Sequence, residues 1–170
     1  MHAERQLAGA GGKWPKTNER EDSRVTRQER DDYCGCACAL TILRLLGIPS
    51  TLSQDAFYDL GGNMLFSVQS LSEALSLIAG ERHVWHGRGV HPPEGYDYPS
   101  LLNVLSNLGP WIAHLRQTCV RVGHFVIVVG REENRLEILD PAGPGTAYSM
   151  TEADFLAYWN YQAVYPTVRA

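Results

Sequence analysis

The sequence predicts an α+β fold, on three observations. Apolar residues recur at helical spacing between about residues 34 and 108, strand-like runs follow, and 44% hydrophobic against 20% charged residues describes a globular chain. Helices first and strands joined by short turns afterwards spell two packed halves, with an antiparallel sheet in the second. A length of 170 residues suits one domain able to bury a real core.

Residues 1–27 are polar, charged and without periodicity, with Gly9, Gly11 and Gly12 near the front. That composition predicts a flexible N-terminal arm, with Trp14 as its one anchor, and leaves 28–170 as the folded domain. The first helix is expected over Cys34 to Leu46, where Ala37, Leu40, Leu43 and Leu45 build an apolar stripe. Gly47 and Pro49 stop it, and Asp31 or Asp32 is placed to cap its start. A second helix starts near Ser53 and ends before Gly61, and a third runs from Val68 to Ile78. His83 to His86 reads as a short strand, and Gly87 to Pro93 as a loop. Tyr98 to Leu108 forms a fourth helix ended by Gly109-Pro110. Strands follow at Trp111–Leu115, Phe125–Val129, Leu136–Leu139 and Ala147–Met150. A last helix, Glu152 to Trp159, is capped by Thr151, and Tyr161 to Tyr165 returns as a strand.

A net charge of −4 gives no electrostatic case for nucleic acid or an anionic membrane. No apolar run reaches the roughly 20 residues that a membrane helix needs. Met1 to Gln6 lacks a secretory core, so synthesis in a cytoplasm is expected, with export as a later step. Four cysteines, three of them at 34, 36 and 38, are too few and too clustered for a disulfide scaffold, and are read as reduced. Zinc is set aside: Cys34 and Cys38 share a helical face, but Cys119 is the sole distant cysteine. No metal or cofactor is expected.

Chemistry concentrates where the first helix begins. A thiol at a helix start feels the positive end of the dipole and free backbone N–H groups, and both favour thiolate. Gln28, six positions before Cys34, can offer its amide N–H to an oxygen above that sulfur. His124 opens one predicted strand and Asp140 ends the next, sixteen residues on, so a short turn brings them together across the pair. The carboxylate can then hold the imidazole in the tautomer that accepts a proton from sulfur. The competing reading makes Cys34 a small buried hydrophobe, as most free cysteines are. Cys36 is the rival nucleophile, His114 the rival base, and His83, His86 and His91 a loose group without a readable task.

Three stretches then carry a resemblance. Gln-x5-Cys-Gly-x-Ala from Gln28, Gly-His-Phe-Val-Ile-Val-Val-Gly from Gly123 and Asp-Pro-x-Gly from Asp140 are similar to papain-like cysteine proteases. The nearest groups are the bacteriocin-processing (double-glycine leader) peptidases and the papain-like effector proteases of bacteria. The similarity covers about residues 25 to 166. It implies a papain-like fold, a thiol-bearing N-terminal helix against an antiparallel sheet, and metal-free hydrolysis of a peptide bond in a peptide or protein substrate. It also implies roles: Cys34 nucleophile, His124 base and then acid, Asp140 orienter, Gln28 oxyanion donor. Gly35 and Gly123, beside thiol and imidazole, are expected to border the substrate, and Tyr96 and Tyr98 to line subsites in the cleft. Tyr33 before the thiol and Gly35 after it depart from the classical papain pattern. Gly11-Gly12 is the type of pair that leader peptidases cut, but glycine is also common in loose arms, so the sequence leaves self-processing of the arm open. The same Cys-His-Asp set also serves transglutaminase-like acyl transfer and deamidation, and a papain-like domain that only binds a peptide is the non-enzymatic alternative.

Overall fold

The computed structural model describes residues 13–62, 65–116 and 123–169. Their order is β1 (Thr17–Glu21), α1 (Cys34–Leu45), α2 (Gln54–Leu60), α3 (Val68–Ala79), β2 (His83–Gly89), α4 (Tyr98–Asn107), β3 (Trp111–Leu115), β4 (His124–Glu132), β5 (Arg135–Asp140), β6 (Thr146–Thr151), α5 (Glu152–Tyr158) and β7 (Trp159–Val168). The architecture is α+β. One antiparallel sheet runs β1-β6-β5-β4-β3-β7-β2, with β4 at its centre.

Local chemistry sets the helix ends. Asp97 accepts the Ser100 N–H at 2.9 Å and Thr151 accepts that of Asp154 at 3.1 Å, which starts α4 and α5. Ser67 and Ser70 cap α3 reciprocally. α1 ends where Gly47 takes φ +66 and the Ile48 N–H returns to the Leu43 carbonyl at 2.8 Å. Its start differs from the expectation: Tyr33 is the N-cap and no side chain caps the first turn. Asp32 instead takes the Tyr58 hydroxyl, so it does not compete for the N–H groups at the thiol.

Two cores lie on opposite faces of the sheet. α1, α2 and α3 bury Ile42, Leu43, Phe57, Leu71 and Leu75 against Phe125, Ile127 and Leu139 on one face. α4 and α5 bury Leu102, Leu105 and Phe155 against Trp111, Val126 and Val128 on the other. The alternation along β4 therefore serves both layers, and its first five residues are all buried.

Two stretches differ from expectation. The reading of 1–27 as a loose arm does not hold at its C-terminal end, because Thr17–Glu21 pairs with β6 as an edge strand and Trp14 is 4% exposed. An all-polar edge strand shows no apolar alternation. β2 also runs through Gly87 to Gly89, paired along its length with β7, where a loop was expected. The Gly11-Gly12 pair lies outside the described residues, as does Cys119.

Candidate active site

α1 points its N-terminus at the start of β4, and Cys34 is its first residue. Burial pushes the Cys34 thiol up, but a hydrogen bond from His124, the positive charge of that imidazole and backbone N–H contacts bring it below its ordinary value. His124 and Asp140 sit on one sheet face, two residues out of register across β4 and β5. By the pairing of Ile127 with Leu139, Asp140 lies opposite Val126, so the imidazole reaches it diagonally. His124 Nε2 meets Asp140 Oδ1 at 2.7 Å, which leaves Nδ1 for the sulfur. Burial alone would lower the His124 pKa. The charge and hydrogen bond of Asp140, with the contact to Cys34, override it and raise the pKa to about 10. Asp140 is 1% exposed, yet it is held below the usual carboxylate range, because His124, the Ala142 N–H and the Tyr148 hydroxyl outweigh its burial. Each of the three shifts favours the charged form of its group, an arrangement that can attack a carbonyl and then deliver a proton.

Comparison with solved structures gives the fold its place. The peptidase domain of Streptococcus ComA, described as a bi-functional ABC transporter of a quorum-sensing pathway, superposes with a TM-score of 0.61 at 20% identity, over 85% of this chain and 98% of that one. A double glycine motif protease from an AMS/PCAT transporter, in complex with its leader peptide, gives 0.63 at 17% identity over 91% and 98%. The fold is that of a peptidase domain.

In sequence, Cysteine protease effector 1 of Escherichia coli is 33% identical over 157 residues. The match takes in 92% of this chain but spans only 29% of that relative's length. No family model matches the chain. The resemblance seen in the motifs, to double-glycine leader peptidases and effector proteases, thus recurs in both fold and sequence.

On this peptidase fold the remaining expected residues are placed unevenly. Gly35 is buried, and a Cβ there would sit 3.4 Å from the Phe125 ring. Gly123 is tighter, since a Cβ would lie 2.2 Å from the His114 ring. Gln28 precedes α1 as expected, but its Nε2 donates to the carbonyls of Arg30 at 3.1 Å and Asp31 at 3.3 Å. Tyr98 packs on Tyr161 and meets His91 Nδ1 at 3.3 Å. His91, Tyr96, Arg88 and Tyr165 line a cavity of about 590 Å³ beside β2, of which Tyr98 is not a lining residue. β2 lies three strands from β4, roughly 14 Å across the sheet.

The rivals separate clearly. Burial first, then the charge of Cys34, pushes Cys36 up to about 12, and Cys38 is also raised, by its burial. Cys38 donates to the Phe125 carbonyl at 3.3 Å. His114 is lowered to about 4 by burial and the nearby Arg116 and His124 charges, and its Nδ1 meets Asn160 at 3.2 Å. His86 pairs with Thr167 at 2.9 Å and stacks on Tyr165, far from the sulfur. Sequence reasoning missed Trp14 and Tyr148, which lie directly against the carboxylate and imidazole. One signal was available for Tyr148. It falls on the same strand face as its neighbour's Asp140, two residues from that residue's partner Thr146.

Proposed function

We propose that the chain is a cysteine-type peptidase, with Cys34 as nucleophile, His124 as acid and base, and Asp140 as the group that orients His124. One observation carries this reading: among Cys34, Cys36 and Cys38, Cys34 alone meets the imidazole and alone has its thiol lowered. The thiolate attacks the scissile carbonyl carbon, and the carbonyl electrons move onto oxygen. That oxyanion accepts the free Cys34 N–H of the α1 first turn. Gln28 supplies a second donor once one of its N–H groups swings from the Arg30 or Asp31 carbonyl. His124 gives its proton to the leaving nitrogen as the C–N bond breaks, leaving a thioester and a neutral imidazole. Water then loses a proton to His124, adds to the thioester and frees the thiolate.

The neighbour bound to a leader peptide supports a peptide substrate lying across the start of α1 and β4, bordered by Gly35 and Gly123. The relative's name, Cysteine protease effector 1, supports an effector role for the chain. No helix among the described residues is long and apolar enough to cross a membrane. The test is a proteome-derived peptide library, enriched in double-glycine leader sequences, incubated with wild type and with Cys34→Ala. New N-termini made by wild type alone are expected. Ammonia release with a one-dalton gain on glutamine, and no new termini, would replace hydrolysis by deamidation. Peptide capture without turnover would make the chain a binding domain.

A further inference from the structure

Asp140 is not held by His124 alone. Its Oδ1 accepts from His124 and from the Ala142 N–H at 3.0 Å, and its Oδ2 accepts from the Tyr148 hydroxyl at 2.8 Å. That hydroxyl in turn accepts the Trp14 Nε1–H at 2.9 Å. The Trp14 ring also stacks on His124, with centroids 6.1 Å apart and planes 29° from parallel. Trp14 is 4% exposed and Tyr148 is fully buried, so the chain of donors is dry. Three strands build it: Asp140 ends β5, Tyr148 lies on β6, and Trp14 precedes β1, which pairs with β6.

We propose that Trp14 and Tyr148 are positioning residues: the N-terminal segment closes over the His124–Asp140 pair, orients the carboxylate through Tyr148 and keeps water from the ion pair. Every donor on the path has one acceptor and no competitor. The Tyr148 hydroxyl has a single proton and spends it on Oδ2, while Trp14 fills one of its lone pairs. Without the indole, water reaches the pair and screens an attraction that a dry site preserves. Without the hydroxyl, Oδ2 loses its anchor and the carboxylate can turn from the imidazole.

The proposal rests on the peptidase reading for its catalytic meaning, but its geometry is measurable without a substrate. The titratable groups around His124 are Cys34 on α1, Asp140 on β5, Tyr148 on β6 and His114 on β3. Lys16 adds a charge 4.9 Å from the Tyr148 ring centre, and Glu19 acts on Tyr148 from β1. Two readouts suit full-length protein: His124 titration by NMR of isotope-labelled histidine, and the rate of Cys34 alkylation by iodoacetamide. In Trp14→Ala the His124 midpoint should fall by at least about one pH unit. Alkylation of Cys34 below neutral pH should slow by about tenfold, the thiolate lost per unit of pKa. Trp14→Phe keeps an aromatic cover without the N–H, and Tyr148→Phe keeps the ring without the hydroxyl. Both should move in the same direction by less, and the double variant should change less than the sum, since the two act through one chain. Thermal unfolding confirms that each variant is folded, and the two phenylalanine variants keep the test open if Trp14→Ala is not. Midpoints that superimpose on wild type, or rise, overturn the proposal. If Cys34 is activated alike in every protein while His124 does not move, the peptidase reading stands and the positioning role falls. If wild-type Cys34 is unactivated yet His124 shifts as expected, the reverse holds.

Discussion

A cysteine in a folded chain is usually inert, because burial penalises the thiolate. Cys36 and Cys38 obey that rule, and Cys34, on the same helix and 8% exposed, does not. The difference is the imidazolium, which burial alone would discharge and Asp140 keeps charged. The pair leaves a mark on stability. His124, raised to about 10, contributes stability that is full below its ordinary 6.5 and is lost as pH rises through about 10. Cys34, lowered from 9.0, contributes in the opposite sense, gaining as pH rises toward that value. As pH rises toward 9 the two oppose each other, so wild-type unfolding free energy should fall less steeply there than His124 alone would make it. Cys34→Ser keeps the His124 loss without the compensation, and should fall by up to about 1.4 kcal/mol per pH unit in urea titrations. Equal slopes in the two proteins would mean that the ion pair is absent. Gln28 makes a second residue-scale prediction. Gln28→Glu should lower peptide turnover by about a hundredfold, the cost of losing one oxyanion donor, without changing Cys34 alkylation, which forms no oxyanion. The thiol, imidazole and carboxylate were legible because each stands at the end of a periodic segment. The present bonds of Gln28 were not, since nothing in the spacing tells whether its amide faces the sulfur or its own loop.

At the scale of elements, α1 starts bare. No acidic residue stands in its first turn and no side chain caps it, so its free N–H groups face the sulfur and any oxygen above it. The strands complete the site by register, since β4 and β5 bring His124 and Asp140 diagonally together. Helix and strand order could be read almost throughout, because α1, α3 and α4 carry clear apolar stripes and β3 to β6 are short and turn-bounded. β2 was cut short by reading Gly87 as loop. In the structure Gly87 is where β2 touches α3: a Cβ there would lie 1.9 Å from the Val68 carbonyl oxygen and 2.7 Å from Ser72 Oγ. Gly87→Ala should therefore cost about 1–3 kcal/mol of unfolding free energy by prying α3 from the sheet. The pH profile of Cys34 alkylation, three strands away, should stay as in wild type. An unchanged denaturation midpoint would contradict this packing.

At the scale of the whole molecule, one sheet is shared by two cores, and its edge beyond β6 is closed by β1. Thr17 to Glu21 offers no hydrophobic pattern, so sequence assigns it to a loose arm, and a lone tryptophan says little about where it docks. The pairing with β6 and the hydrogen bond from Trp14 to the Tyr148 hydroxyl decide both. Deleting residues 1–21 uncovers β6 and vacates the Trp14 site. Losing a buried tryptophan costs about 3–5 kcal/mol, so the thermal midpoint should drop by about 6–20 °C in calorimetry. An unchanged midpoint would place β1 outside the cooperative unit. The central claim, one activated thiolate among four cysteines, is tested most directly by brief alkylation of the intact chain. Limiting iodoacetamide would be applied from about pH 4 to about pH 9, across the ordinary thiol range, and each cysteine located by peptide mass spectrometry. Modification of Cys34 well below neutral pH, lost or shifted upward in His124→Ala, is the predicted result. Reaction of Cys34 only near a thiol's ordinary pKa of roughly 8.5, or of Cys36 before it, would contradict the account.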